Sequence, residues 1–169
     1  MDQSKTKLGV TSEFLSQMGR FHGIWSSIEL NIDYAVGKFL GVPHEEAHFI
    51  TAGTDFNRKV RLLQALVKRK NPPRSNDIVN ALSTIQNESL RNAFAHSCLT
   101  GDENTVTFVE RSRYGRYDPK QHDFTMPQFE QHVEKLYFAG DQLFVALGEP
   151  SEELQEFADC ALTAHQPTS

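Results

Sequence analysis

Cysteine is nearly absent: only Cys98 and Cys160 occur in 169 residues. Two thiols so placed make no disulfide framework and supply no zinc spacing, so they read as free thiols of a reducing cytoplasm. Long apolar runs are missing too, which excludes a membrane-spanning helix. The opening Met1-Asp2-Gln3-Ser4-Lys5 lacks the apolar stretch of a secretory leader. Repeats and low-complexity tracts do not occur. Nor is there a strong excess of one charge: 17 basic against 22 acidic side chains leave a net −5. That balance argues against bulk electrostatic adhesion to nucleic acid. The cations are nonetheless clustered. Arg58, Lys59, Arg61, Lys68, Arg69, Lys70 and Arg74 share one stretch, and Arg111, Arg113, Arg116 and Lys120 another. Either cluster is a solvated face or a guide for an RNA strand.

What is present is an ordinary globular composition and enough chain for one domain with its own core. Apolar periodicity predicts helices. Phe14, Met18, Phe21, Trp25, Ile28, Ile32, Ala35 and Phe39 recur in steps of four and three, one stripe on a helix from Ser12 to Leu40. Ser12 is the expected cap, and Gly41 with Pro43 ends the run. A short helix is expected after Pro43, with Glu45 and Glu46 in its first turn. A second long helix covers Asp55 to Lys70 and stops at Asn71-Pro72-Pro73. A third starts at Ser75 or Asn76, carries Ile78, Leu82 and Ile85, and is expected to continue to Leu99. Val106 and Phe108 alternate with threonines, predicting a small hairpin or loop between Gly101 and Phe124. Thr125-Met126-Pro127-Gln128 opens a fourth helix by a capping box, closed by Gly148-Glu149-Pro150. Ser151 begins a short C-terminal helix, and Gln166 to Ser169 form a frayed tail. The expected fold is all-α, a four- to five-helix up-and-down bundle with a small β-hairpin or loop insertion between the third and fourth long helices. Residues 12–148 form the domain; 149–169 are the short helix and tail.

The chemistry concentrates in Arg91-Asn92-Ala93-Phe94-Ala95-His96. A guanidinium holds phosphate oxygens through its planar fork, and an imidazole moves a proton near neutral pH. Extending the Ile78, Leu82, Ile85 seam leads to Ser89, Asn92 and His96, so an apolar line becomes polar, as beside a cleft or an interface. The first helix carries a polar line too, through His22, Ser26, Glu29 and Asp33. If the two helices are neighbours, Glu29 or Asp33 orients the imidazole; the alternative is an interhelical ion pair. Arg91 and His96, five positions apart, point about 140° from each other on a helix. Two copies meeting across a two-fold axis focus both groups on one phosphate better than one copy does, so an isologous homodimer is expected. A structural role fits the same residues: His96 near a helix C-terminus, Arg91 paired with Glu88 or another carboxylate. His44-Glu45-Glu46-Ala47-His48 matches a zinc-peptidase string. It lies in a short segment directly after Gly-Val-Pro with no third ligand at a useful spacing, so no metal is expected there.

Arg, a polar residue, three more residues and His, on the third helix of a helical bundle, resemble the HEPN superfamily (higher eukaryotes and prokaryotes nucleotide-binding). The runs Ile24-Trp25-Ser26-Ser27-Ile28-Glu29-Leu30-Asn31-Ile32-Asp33 and Phe56-Asn57-Arg58-Lys59-Val60-Arg61-Leu62-Leu63 are similar to prokaryotic members. The likeness covers residues 12–148. It implies a metal-independent endoribonuclease, without cofactor, that acts on RNA as a homodimer, as a toxin or an antiviral effector, under an antitoxin or another regulatory partner. Arg91 and His96 correspond to the catalytic pair and Asn92 to the supporting polar residue. From the basic segment itself, Lys59, Arg58 and Arg61 are expected to hold the strand. One subgroup has a tyrosine two residues after the histidine, which its antitoxin modifies; here that position is Cys98. The same bundle without activity would be an RNA- or nucleotide-binding dimerisation module.

Overall fold

The computed structural model describes residues 9–88, 90–110, 120–148 and 151–163; the side chains of Asn92, Ala95, His96, Leu162 and Thr163 are outside the description. So are the turn-rich stretch 111–119 and the tail 166–169. The described chain is mainly helical. Its elements are α1 (Ser12–Leu40), α2 (His44–Ala52), α3 (Phe56–Lys70), α4 (Ser75–Glu88), α5 (Arg91–His96), β1 (Cys98–Gly101), β2 (Thr105–Glu110), β3 (Lys120–Thr125), α6 (Met126–Leu147) and α7 (Ser151–Thr163). No described helix is long and apolar enough to cross a membrane.

Local chemistry explains the boundaries. The hydroxyl that caps α1 is Thr11 Oγ1, accepting from Phe14 N at 3.4 Å, one residue before the expected Ser12. Asp55 caps α3 by accepting from Arg58 N at 3.1 Å, and Asn71 ends it in the left-handed region at φ 45°. At the start of α6, Gln128 Oε1 accepts from Thr125 N at 2.9 Å, the reach-back half of a capping box. Gly148, at φ +65°, ends α6 with its amide donating to Phe144 O.

Two corrections matter for function. The third helix does not continue to Leu99. It ends at Glu88, Leu90 adopts φ 39° and ψ 22°, and a separate six-residue helix follows. The Ile78–Leu82–Ile85 seam therefore stops with α4, because left-handed Leu90 resets the helical phase before α5; Ser89 and the side chains of Asn92 and His96, the polar line expected to extend it, lie outside the described residues. Leu99 lies instead in β1. The insertion is also larger than a hairpin: β1, β2 and β3 form a three-stranded antiparallel sheet in that order.

The chain forms two compact units, one comprising Met1–Gly23 and Asn87–Leu136, the other Ile24–Gln86 and Tyr137–Ser169. In the first, α5 covers one face of the sheet. Phe94 is the hub: its ring centroid lies 4.6 Å from Phe108, 4.7 Å from Phe21 and 5.4 Å from Phe129. Val106 and Phe108, the alternating residues of β2, are buried there. The opposite face is polar, with Thr107 Oγ1 donating to Asp123 Oδ1 at 2.6 Å.

In the second unit the apolar stripes of α1, α3 and α4 supply the core, with Ile32, Leu63, Ile78 and Leu82 fully buried. Gly140 lets α6 approach α1: an added Cβ would lie 2.9 Å from Ile28 Cγ1. A smaller cluster joins Tyr34, Ala47 and Phe157, with Leu30, Val42 and Leu154 packed against it. It docks α7 on α1 and α2.

Candidate functional site

The six-residue motif constitutes α5 in full, with Arg91 its first residue and His96 its last. Two backbone features delimit it. Leu90, left-handed, accepts from Phe94 N at 3.0 Å, and Ser97, extended at φ −86° and ψ 156°, donates its amide to Ala93 O at 3.2 Å. Between them Ala93 and Phe94 are buried, so the helix is pinned by its middle. Arg91 is half-buried. Asn92 and His96 are placed on α5 by their backbone; their side chains are among those not described.

The proposed supporting carboxylates belong to the second unit. Glu29 is half-buried. Asp33 Oδ2 accepts from Lys59 Nζ at 2.8 Å, with 17% and 10% of the two side chains exposed. Asp33 Oδ1 is buried without a hydrogen-bond partner. Lys59 thus sits inside the unit, held by Asp33. Its α3 neighbours differ: Arg61 is exposed, and Arg58 is exposed with Nε 3.1 Å from Asp55 Oδ2. Of the second basic segment, Arg111, Arg113 and Arg116 fall outside the described residues, and Lys120 is exposed at the start of β3.

The histidines of the zinc-peptidase string are packed on α7. His48 Nε2 donates to Phe157 O at 2.8 Å, and its ring stacks on Phe157 with centroids 3.9 Å apart. His44 meets Phe157 and Tyr34 edge-on at 5.5 and 5.9 Å. Among the described residues no group of three or more His, Cys, Asp or Glu side chains is placed to hold a metal ion. Nearby, Glu153 accepts from the Tyr34 hydroxyl and lies 3.6 Å from Lys38 Nζ. The Tyr34 bond, helped by Lys38, holds the Glu153 carboxyl below its ordinary range.

Sequence reasoning missed polar side chains that the sheet and α6 supply to the first unit. His132 is buried, its ring 5.3 Å from Phe94 and 5.8 Å from Phe124. His122 Nε2 lies 3.8 Å from Glu110 Oε2. Extending the Val106–Phe108 alternation two residues would have put Glu110 on the same face, but His122 is reached only through the strand register. No protein-family model, curated protein or solved structure matches this chain.

Proposed function

We propose that this chain is a metal-independent endoribonuclease of the HEPN type, working in the cytoplasm as an isologous homodimer. The observation that supports it is the isolation of Arg91–His96 as one short helix, delimited at Leu90 and Ser97 and anchored through Phe94. Arg91 and His96 stand at the two ends of a pinned helix, so their backbone positions are fixed, as catalysis by positioning requires. On this reading residues 12–148 form an up-and-down bundle of four to five long helices, with the sheet as its insertion.

The RNA 2′-hydroxyl attacks the adjacent phosphorus. His96 transfers a proton, Arg91 stabilises the charge that develops on the phosphorane oxygens, and Asn92 fixes the imidazole or the phosphate. The P–O5′ bond breaks, leaving a 2′,3′-cyclic phosphate and a 5′-hydroxyl. Arg58 and Arg61 hold the strand from the exposed face of α3. An activity of this kind suits a toxin or an antiviral effector governed by a regulatory partner.

Digestion of mixed RNAs in a chelator tests the reading. Cleavage to cyclic-phosphate ends is expected, with DNA intact and activity lost in folded Arg91→Ala and His96→Ala. RNA that is bound but left whole under every condition would overturn it and make the chain a binding module.

A further inference from the structure

The sheet of the first unit ends in a polar corner that the mechanism above does not use. Val106, Phe108 and Phe124 line the face under Phe94. The register sets Phe108 opposite His122 and Glu110 opposite Lys120, so alternation carries that same face on to Glu110 and His122. Ser97, directly after His96, stands one residue before β1. Continuing the antiparallel register from the pair Cys98 and Val109 brings it opposite Glu110. Two polar atoms of this corner, Ser97 Oγ and His122 Nε2, are buried without a hydrogen-bond partner. Buried polar atoms without a partner are uncommon, and each calls for a reason.

His122 has the layout of a proton-transfer group. Nε2 is buried and faces Glu110 Oε2 at 3.8 Å, an ion-pair separation but longer than a hydrogen bond, while 25% of the side chain reaches the surface. Imidazole and carboxylate are both partly exposed, 25% and 31% of their side chains, so the pair is open to a substrate, as in a carboxylate–histidine pair that exchanges protons with one. Loose separations of this kind tighten when substrate is bound.

We propose that His122 is the general acid of the RNA cleavage site, with Glu110 as its positioning residue. This assignment rests on the ribonuclease reading above. Cleavage needs one group to take a proton and another to give one. His96 takes the proton of the 2′-hydroxyl as the O2′–P bond forms. The His122 imidazolium gives its proton to O5′ as the P–O5′ bond breaks, ending neutral beside Glu110. The short span from His96 through Ser97 into β1 places both histidines in one unit, on α5 and on the sheet that it covers.

Leaving-group chemistry tests this in the full-length protein. Two substrates are compared: an oligoribonucleotide, whose 5′-oxygen needs a proton to depart, and uridine 3′-(4-nitrophenyl phosphate), whose nitrophenolate does not. His122→Gln is expected to slow RNA cleavage by about 100- to 1,000-fold and the nitrophenyl ester by less than about threefold. Glu110→Gln should show the same selectivity with a loss of roughly tenfold on RNA. His96→Ala should lose both activities. Equal losses of His122→Gln on the two substrates, or none, overturn the assignment while leaving the ribonuclease reading intact. Should His122→Gln fail the circular-dichroism check for folding, Glu110→Gln decides by the same comparison. A wild-type protein inert toward both substrates removes the ribonuclease reading and this one with it.

Discussion

Replacing Lys59 with methionine distinguishes a structural cation from a strand-holding one. Lys59 Nζ and Asp33 Oδ2 are 2.8 Å apart, and only 10% and 17% of the two side chains are exposed. Asp33 Oδ1 is already buried without a partner, so removing the ammonium leaves both oxygens of the carboxylate unsatisfied. Methionine fills the volume of the lysine stem, which keeps the packing change small and leaves electrostatics as the main effect. Breaking a fully buried pair from one side costs about 3–5 kcal/mol. The residual exposure of both partners lowers that to about 2–3 kcal/mol here. In a chain of this size each kcal/mol moves the melting temperature by about 2–4 °C, so Lys59→Met should melt roughly 5–10 °C below wild type. Asp33→Leu combined with Lys59→Met should regain most of the loss, because an apolar pair needs no charge compensation. Thermal melts of the wild type, Lys59→Met, Asp33→Leu and the double variant, read by circular dichroism alongside RNA binding, check the cycle. A melt unchanged within about 1 °C together with weakened RNA binding would refute the structural reading and return Lys59 to the strand.

Three glycines on α1 should respond with opposite signs. A Cβ on Gly37 would sit 2.4 Å from Ala47 Cβ, whereas Gly19 and Gly23 have nothing within 4 Å. Gly37→Ala should therefore destabilise by about 1–3 kcal/mol through forced separation of α1 and α2. Gly19→Ala and Gly23→Ala should each stabilise by about 0.5–1 kcal/mol in urea titrations, through helix propensity alone. Docking of α7 should weaken in acid. Its Glu153 is held below the ordinary value of 4.5 by the Tyr34 hydroxyl first and Lys38 second. A depressed carboxylate contributes stability that is fully present above its unfolded value and is lost as pH falls through the folded one. Amide exchange in residues 151–163 should accelerate over that acid range, and Glu153→Gln should flatten the dependence.

Much of the helical layout was legible because its signals are local. The α1 stripe from Phe14 to Phe39 fixed both element type and buried face, and Asp55, Asn71, Thr125 with Gln128, and Gly148 act at helix ends as their chemistry dictates. What could not be read locally has a different origin. β1 has only four residues, Cys98–Gly101, too short to show alternation, and its existence depends on pairing with β2. The break at Leu90 carries no glycine or proline to announce it. Lys59 and Asp33 meet from α3 and α1 across 26 positions, so neither burial nor pairing could be read from spacing. His122 and Glu110 share a face only through a register that hydrogen bonding between strands decides.

The unannounced break at Leu90 has a physical reason that bears on the motif. A leucine at φ 39° carries strain of about 1–2 kcal/mol. What offsets it is the aromatic cluster around Phe94. Its ring meets Phe21, Phe108, Phe124, Phe129 and His132 at centroid distances between 4.6 and 5.8 Å. Contacts of that kind add about 0.5–1.5 kcal/mol each beyond area burial, so even two of them outweigh the strain. With the phase reset, α5 is oriented by Phe94 rather than by the Ile85 seam of α4. The backbone positions of Arg91 and His96, at the two ends of α5, are thus set by the sheet and by Phe94. A change in the sheet's inner face, at Phe108 or Phe124, therefore acts on the anchor of the motif directly.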